Sequence, residues 1–328
     1  MTIEEQAKKF RDNVDALTRE IGKAIVGHQE VVRQVIVAII AGEHALLEGV
    51  PGIGKTLLVR SIAQCLSLKF SRIQFTPDLM PADILGTNIV VEDAQGRKQF
   101  EYQKGPIFGN LILADEINRA TPKTQSALLE AMQEKAVTVS GKRYPLEEPF
   151  FVLATQNPIE MEGTYPLPEA QIDRFLFKVQ VPASKLDELI EVIDRTTGKE
   201  SAGPQAILSG KEILEMRALA REVPIASHVK EFAARLVLAT HPNGTGIAKK
   251  YLRYGSSPRG AQSLVRASKI LALMKGRFNV SFGDLKEAAF PALRHRMILN
   301  FEAEAEGIRA DAILEKILSE LPEVAAAK

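Results

Sequence analysis

Gly49-Val50-Pro51-Gly52-Ile53-Gly54-Lys55-Thr56 fits G-x-x-x-x-G-K-[ST] at every fixed position. The run before it, Ala45-Leu46-Leu47-Glu48, is short and apolar, as a buried strand should be. From Leu57 to Leu66 the residues favour a helix at helical spacing. Strand, glycine loop and helix are the context that gives this motif meaning. Glycines let backbone N–H groups turn inward around a phosphate, and the helix N-terminus adds the positive end of a dipole. Lys55 is expected to reach the β and γ phosphates, and Thr56 to offer its hydroxyl to Mg²⁺.

Upstream, residues 2–21 read as an amphipathic helix with Phe10, Val14, Leu17 and Ile21 on one face. Ile25-Val26-Gly27-His28 follows, then a helical stretch from Gln29 to Ala41. The turn at Val26 and Gly27 is a candidate adenine pocket. His28 reads as a helix-start or packing residue. Downstream, Phe70–Phe75 reads as a second strand, and Asn88–Glu92 and Lys98–Tyr102 as a hairpin turning at Asp93-Ala94-Gln95-Gly96. This hairpin interrupts the strand–helix alternation, and such insertions either carry function or are plain surface excursions.

Asn110-Leu111-Ile112-Leu113-Ala114-Asp115-Glu116 is an apolar strand ending in two carboxylates. At the C-terminal edge of a parallel sheet both would stand beside the phosphate site. Asp115 would hold Mg²⁺ through water, and Glu116 would orient and deprotonate the attacking water. Asn118 and Arg119 suit a helix cap and a subunit-interface arginine. Residues 122–135 read as a helix, and 136–146 as a second hairpin across Ser140-Gly141. Phe150–Thr155 is another apolar strand, ending in Gln156-Asn157-Pro158. Asn157 there could bond the γ-phosphate or the water, although Asn-Pro is also an ordinary turn starter. Residues 159–169 read as a loop. Asp173-Arg174-Phe175 precedes the strand Leu176–Val181, where Arg174 could serve a neighbouring subunit's nucleotide or form a surface ion pair.

Pro182 marks a boundary. Helical patterns cover Leu186–Thr197, Gly210–Glu222, Ala226–Thr240, Pro258–Lys275, Phe282–Ala292 and Ala310–Leu321, with loops over 198–206 and 241–256. The expected division is an α/β nucleotide-binding core (1–182), a linking helix and loop (183–205) and an all-α lid domain (206–328). Ser257 can cap a helix starting at Pro258, which places Arg259 on its first turn.

The 328 residues suffice for one large or two ordinary domains. A hydrophobic fraction of 45% and a charged fraction of 25% are ordinary for a globular protein. A net charge of +1 gives no global pull toward nucleic acid or an anionic membrane. The charged N-terminus is unlike a signal peptide, and no apolar run approaches a membrane span. The single cysteine, Cys65, rules out an internal disulfide and fits a reducing cytoplasm. Five histidines and one cysteine form no metal-ligand pattern.

The ordered set Gly49–Thr56, Asp115-Glu116, Asn157, Asp173-Arg174-Phe175 and Ser257-Pro258-Arg259 resembles the AAA+ ATPases. Glu48–Gly52, Gln103–Ile107, Asp115–Ala120, Ala154–Pro158 and Glu169–Phe175 narrow the resemblance to the MoxR family, in the branch with helix-2 and pre-sensor-1 insertions. The resemblance implies a P-loop core with a parallel sheet and two inserted hairpins, followed by the lid. It implies Asn157 as sensor 1, Arg174 as an arginine finger in trans, Arg259 as sensor 2 in cis, and Arg119 as a further trans residue. The nucleotide-binding set would be Val26, Gly27, the loop Gly49, Val50, Pro51, Gly52, Ile53, Gly54, Lys55 and Thr56, then Leu57 and Arg259. It further implies hexameric rings that hydrolyse ATP with Mg²⁺ to mature or activate client complexes, with partners that carry a von Willebrand factor A domain.

Three other readings compete. A nucleic-acid motor would use Arg97, Lys98, Lys104, Lys142 and Arg143 on the hairpins, but the near-neutral charge argues against it. A metal-chelatase motor subunit would look alike in its core. A binding switch without turnover is at odds with an intact Glu116 and Asn157. A GTPase is disfavoured because no Asn-Lys-x-Asp guanine reader is present.

Overall fold

The computed structural model describes residues 2–50, 52, 54–92, 96–157, 163–197 and 203–324. Pro51 and Ile53 of the glycine loop, the hairpin turn Asp93-Ala94-Gln95, and Pro158 lie outside the described residues.

Helix α1 (Ile3–Ala24) opens with a capping box: Glu5 N–H donates to Thr2 Oγ1 at 3.2 Å, and Thr2 N–H to the Glu5 carboxylate at 2.8 Å. Helix α2 (Gln29–Ala41) ends at Gly42, whose positive φ closes it. Then come β1 (Ala45–Glu48), α3 (Lys55–Cys65), β2 (Phe70–Gln74), α4 (Pro81–Leu85) and the hairpin β3 (Gly86–Glu92) with β4 (Lys98–Lys104). Strand β5 (Leu111–Asp115) leads through a 3-10 turn, Ile117–Arg119, to α5 (Pro122–Glu134). The second hairpin is β6 (Ala136–Val139) and β7 (Lys142–Pro145), followed by β8 (Phe151–Gln156), α6 (Glu169–Ile172) and β9 (Phe177–Gln180). Beyond lie α7 (Leu186–Thr197), α8 (Gly210–Glu222), α9 (Ser227–Ala239), α10 (Gly246–Tyr251), β10 (Leu252–Tyr254) and α11 (Pro258–Met274). The chain closes with α12 (Phe282–Leu293), β11 (Ile298–Leu299), α13 (Phe301–Ala305) and α14 (Ala310–Glu320).

The main sheet is parallel, in the order β2-β5-β8-β1-β9. Its central strands are apolar on both faces, so their sequences read as unbroken apolar runs rather than as alternation. Leu47, Leu113 and Leu153 face one layer, and Leu46, Ile112 and Val152 the other. The first layer is α1, α2 and α3, with α8, α9, α11 and α12 continuing the same hydrophobic cluster. The second is α5 with the hairpin bases. The two hairpins meet: Tyr102 and Tyr144 stack with centroids 4.1 Å apart, and Asn88 Nδ2 donates to Ser140 Oγ at 3.0 Å.

Element boundaries fall close to those read from the sequence, with one correction. The loop expected over 241–256 contains α10 and β10, and β10 pairs antiparallel with β11. The helical region therefore carries a small ribbon. A three-residue strand is too short for alternation to show, and only Leu252 of β10 is buried.

Candidate nucleotide site

In parallel strands the C-terminal ends share one edge, which holds Glu48, Gln74, Asp115 and Gln156. Gly49–Thr56 leaves β1 at this edge. Gly52 and Gly54 both have φ of +80°, and a Cβ at either would meet nothing within 4 Å, so both glycines border open space. Gly54 caps α3 without a side chain, leaving the first-turn amides of that helix available. Lys55 Nζ donates to the Gly49 carbonyl at 2.6 Å, folded back along its own loop. Partial burial lowers the Lys55 pKa, while Asp115 and Glu116 act in the opposite sense. Thr56 is half-buried and Leu57 is exposed beside them.

The carboxylates are tightly held. Asp115 Oδ1 accepts from Thr155 Oγ1 at 2.6 Å, and Oδ2 from Arg72 Nη2 at 2.6 Å and Nε at 3.1 Å. Glu116 sits in the left-handed region at φ 55°, an uncommon place for this residue type and one found at functional turns. Its N–H donates to Thr155 Oγ1 at 2.8 Å. Its Oε2 accepts from Gln74 Nε2 and from Arg119 Nη1, each at 3.0 Å. Asn157 is buried where β8 ends.

Thr155, Arg72 and Gln74 were not singled out in the sequence. Thr155 is fully buried, and its one hydroxyl fixes both Asp115 and Glu116. A hydroxyl one residue from the end of an apolar strand was the available signal. Arg72 and Gln74 alternate on β2, but their relation to Asp115 follows only from the pairing Gln74↔Asp115.

Arg174 and Arg259 lie elsewhere. A cavity of about 250 Å³ is lined by Gly42 and His44, which precede β1, and by Asp173, Arg174 and Leu176, which precede β9. It therefore opens at the N-terminal edge of the sheet. Arg259 lines the same cavity. Asp173 gathers the lid here: its carboxylate accepts from Ser257 Oγ at 2.8 Å, Arg259 Nη1 at 3.3 Å and Arg296 Nε at 2.8 Å. Arg296 is buried and also donates to the carbonyls of Asp173 at 2.9 Å and Phe175 at 2.7 Å. A four-residue strand is about 13 Å long at the usual rise, so this edge is a full sheet depth from the glycine loop. The cap of the Arg259 helix, Ser257, is thus tied to Asp173 on the edge away from the phosphate loop of its own chain.

The turn at Val26 and Gly27 borders a separate cleft of about 730 Å³ between α1, α2 and α7. Gly27 has φ of +66°, and the Glu188 carboxylate lies against it where a side chain would stand. His28, also left-handed, starts α2 without a side-chain cap. Among the described residues, no group of three or more His, Cys, Asp or Glu could hold a metal, and no helix is long and apolar enough to cross a membrane.

Residues 44–177 match the model of the ATPase family associated with various cellular activities (AAA), and residues 245–317 match the AAA lid domain. The chain is 42% identical over 310 residues to Chaperone MoxR1 of Mycobacterium tuberculosis, covering 93% of this chain and 81% of that protein. It is 31% identical over 316 residues to Protein MoxR of Methylorubrum extorquens, covering 88% and 89%. A crystal structure of a candidate ATPase from Cytophaga hutchinsonii superposes with a TM-score of 0.91 at 43% identity over 98% of both chains. With a glycine loop and paired carboxylates at one sheet edge and an arginine cavity at the other, the chain belongs to the MoxR family of AAA+ ATPases.

Proposed function

We propose that the protein is a Mg²⁺-dependent ATP hydrolase whose site is completed by a second copy, and that turnover remodels a client protein complex. The observation that carries this reading is the separation of the two half-sites. The glycine loop, Asp115 and Glu116 occupy one edge, and Arg174 and Arg259 the other. A head-to-tail neighbour would bring the second half to the first, as in a closed ring, here taken as a hexamer.

Lys55 would leave the Gly49 carbonyl for the β and γ phosphates. Glu116, aimed by Gln74 and Arg119, would orient and deprotonate the attacking water, with Asn157 positioning it. Arg174 and Arg259 of the neighbour would neutralise charge in the transition state, a contribution typically worth ~10³–10⁵ in rate. The base would lie toward Val26 and Gly27, which requires Glu188 to move aside. The Thr56 hydroxyl and the Asp115 carboxylate are hard oxygen donors that suit Mg²⁺, and the Thr155 and Arg72 bonds to Asp115 favour a water-mediated contact. That ion would supply charge neutralisation at the phosphates. The functional division remains a core over 1–182, a link over 183–205 and a lid over 206–328. The joined hairpins are the elements proposed to pass lid motion to a client, with von Willebrand factor A proteins the expected partners.

Subunit mixing tests the trans assignment. Lys55→Ala and Arg174→Ala chains are each expected to be nearly inactive. Mixed, they form some interfaces with an intact loop facing an intact arginine, so turnover should reappear. Arg259→Ala should behave like Arg174→Ala in the same mixture. A mixture as inactive as its components would overturn the assignment.

A further inference from the structure

Helix α7 is amphipathic the wrong way round. Four of its five apolar residues, Leu186, Leu189, Ile190 and Ile193, follow i, i+3, i+4, i+7 spacing, which puts them on one stripe; the fifth, Val192, is half-buried. All four are exposed, from 49% at Leu189 to 73% at Leu186. The side turned toward the protein carries Glu188, against Gly27, and Arg195, which donates to the carbonyls of Gly22 at 3.0 Å and Lys23 at 2.8 Å. The polar face thus holds the helix to the body and the apolar face meets water, the reverse of a surface helix packed on its own core. A contiguous apolar stripe of this kind marks an interaction surface.

We infer that this stripe is covered by the β10–β11 ribbon of a second copy of the chain. The inference rests on the head-to-tail reading above and names where that contact is made. Three observations single out this occupant. First, α7 starts six residues after the end of β9, so it stands at the glycine-loop edge, the edge a neighbour's arginines must approach. Second, the ribbon runs directly into Gly255–Arg259 at the opposite edge and bears the exposed Tyr254 at 56%, with Phe301, exposed at 84%, opening α13 just past β11. The register Tyr254↔Ile298 puts Phe301 three residues further along, about 10 Å at strand rise. The stripe from Leu186 to Ile193 is also about 10 Å long at helical rise. Third, the charges differ at one end of the pair: Asp187, Glu191 and Asp194 border the stripe, whereas Lys249 and Arg253 are exposed at the Tyr254 end of the ribbon, with Arg253 over the Tyr254 ring at 5.4 Å. Glu302, Glu304 and Glu306 follow Phe301 at the other end, so complementarity is confined to the Tyr254 end, where it fixes register as well as partner.

The test combines charge insertion with cross-linking. Ile190→Asp and Tyr254→Asp alter exposed residues, so each chain should keep its wild-type circular dichroism and melting temperature. Each should require at least about tenfold more protein for ATP-induced assembly seen by sedimentation, because a carboxylate in an apolar contact costs at least ~1.4 kcal/mol. In a Cys65→Ser background, Ile190→Cys with Tyr254→Cys should give a disulfide-linked ladder on oxidation with ATP, while either cysteine alone should not. Cys65 is the one native thiol and is buried. If wild type assembles while both aspartate variants assemble equally well and no ladder forms, this contact is wrong and the ring reading stands. If wild type stays monomeric at every ATP and protein concentration, both fall. If monomeric Ile190→Asp keeps its fold but no longer binds a fluorescent ATP analogue, the stripe is a nucleotide surface and the inference is overturned.

Discussion

Thr155 shows how much one hydroxyl can organise. It donates to Asp115 and accepts from the Glu116 N–H, so a single buried side chain sets the aim of both carboxylates. Thr155→Val keeps the volume but leaves the Glu116 N–H without its acceptor and Asp115 short of a donor. The lost bond corresponds to ~1.5–3 kcal/mol, so kcat should fall about ten- to a hundredfold while ATP binding persists. Steady-state turnover alongside a direct binding titration would separate the two. The glycine loop, Asp115 and Glu116 were legible in the sequence because motif, strand and helix are contiguous there. Thr155, Arg72 and Gln74 were not, because what they do depends on which strands lie side by side. The sequence singled out Arg259 but not its contact with Asp173. Its helix cap showed where the side chain starts, and only the Asp173 contact shows where it ends.

Among the elements, β1 and its flanks rest on His44. The ring accepts from Val152 N–H at Nδ1, 3.0 Å away, and its Nε2 lies 3.2 Å from the Met132 carbonyl, so the neutral form uses both nitrogens. Burial, with a smaller contribution from Lys135 and Arg217, lowers its pKa to about 4 from 6.5, against a smaller rise from the Met132 bond. His295, half-buried just beyond α12 with Nε2 against the Phe175 carbonyl, is pushed in the same direction, chiefly by desolvation of its ring. Both groups are neutral when folded and would take up protons on unfolding. Their stabilisation is complete above pH 6.5 and is lost as pH falls toward 4, by on the order of 3 kcal/mol for His44 alone. Thermal melts from pH 7.5 to 4.5 should therefore slope more steeply for wild type than for His44→Gln, whose absolute stability is lower. Helix α11 offers a steric counterpart. A Cβ on Gly260 would collide with Ser256 Oγ and approach Leu293 Cδ2 to 2.9 Å. Gly260→Ala should destabilise the protein by about 1–3 kcal/mol, read as a lowered Tm and a lower denaturant midpoint. Periodicity located the long helices well. It passed over α10 and the β10–β11 ribbon, because elements of two to six residues do not complete a recognisable period.

For the whole molecule, the sheet has polarity: the glycine loop, Asp115 and Glu116 stand at one edge, and Arg174 and Arg259 at the other. The lid belongs to the second edge through Asp173 and Arg296, so disturbing that hub should affect the neighbour's hydrolysis more than the chain's own nucleotide affinity. Asp173→Asn is expected to leave ATP affinity within about twofold while reducing turnover at least tenfold, a KM-against-kcat separation that kinetics can read directly. Two-ended units of this kind also obey a simple arithmetic of links. If the arginines act in trans as proposed, a lone protomer completes no site, an open row completes one fewer than its members, and only closure gives every member a working neighbour. Specific activity should therefore climb with protein concentration along a sigmoid and level off at ring closure, so dilution alone would act as an off-switch.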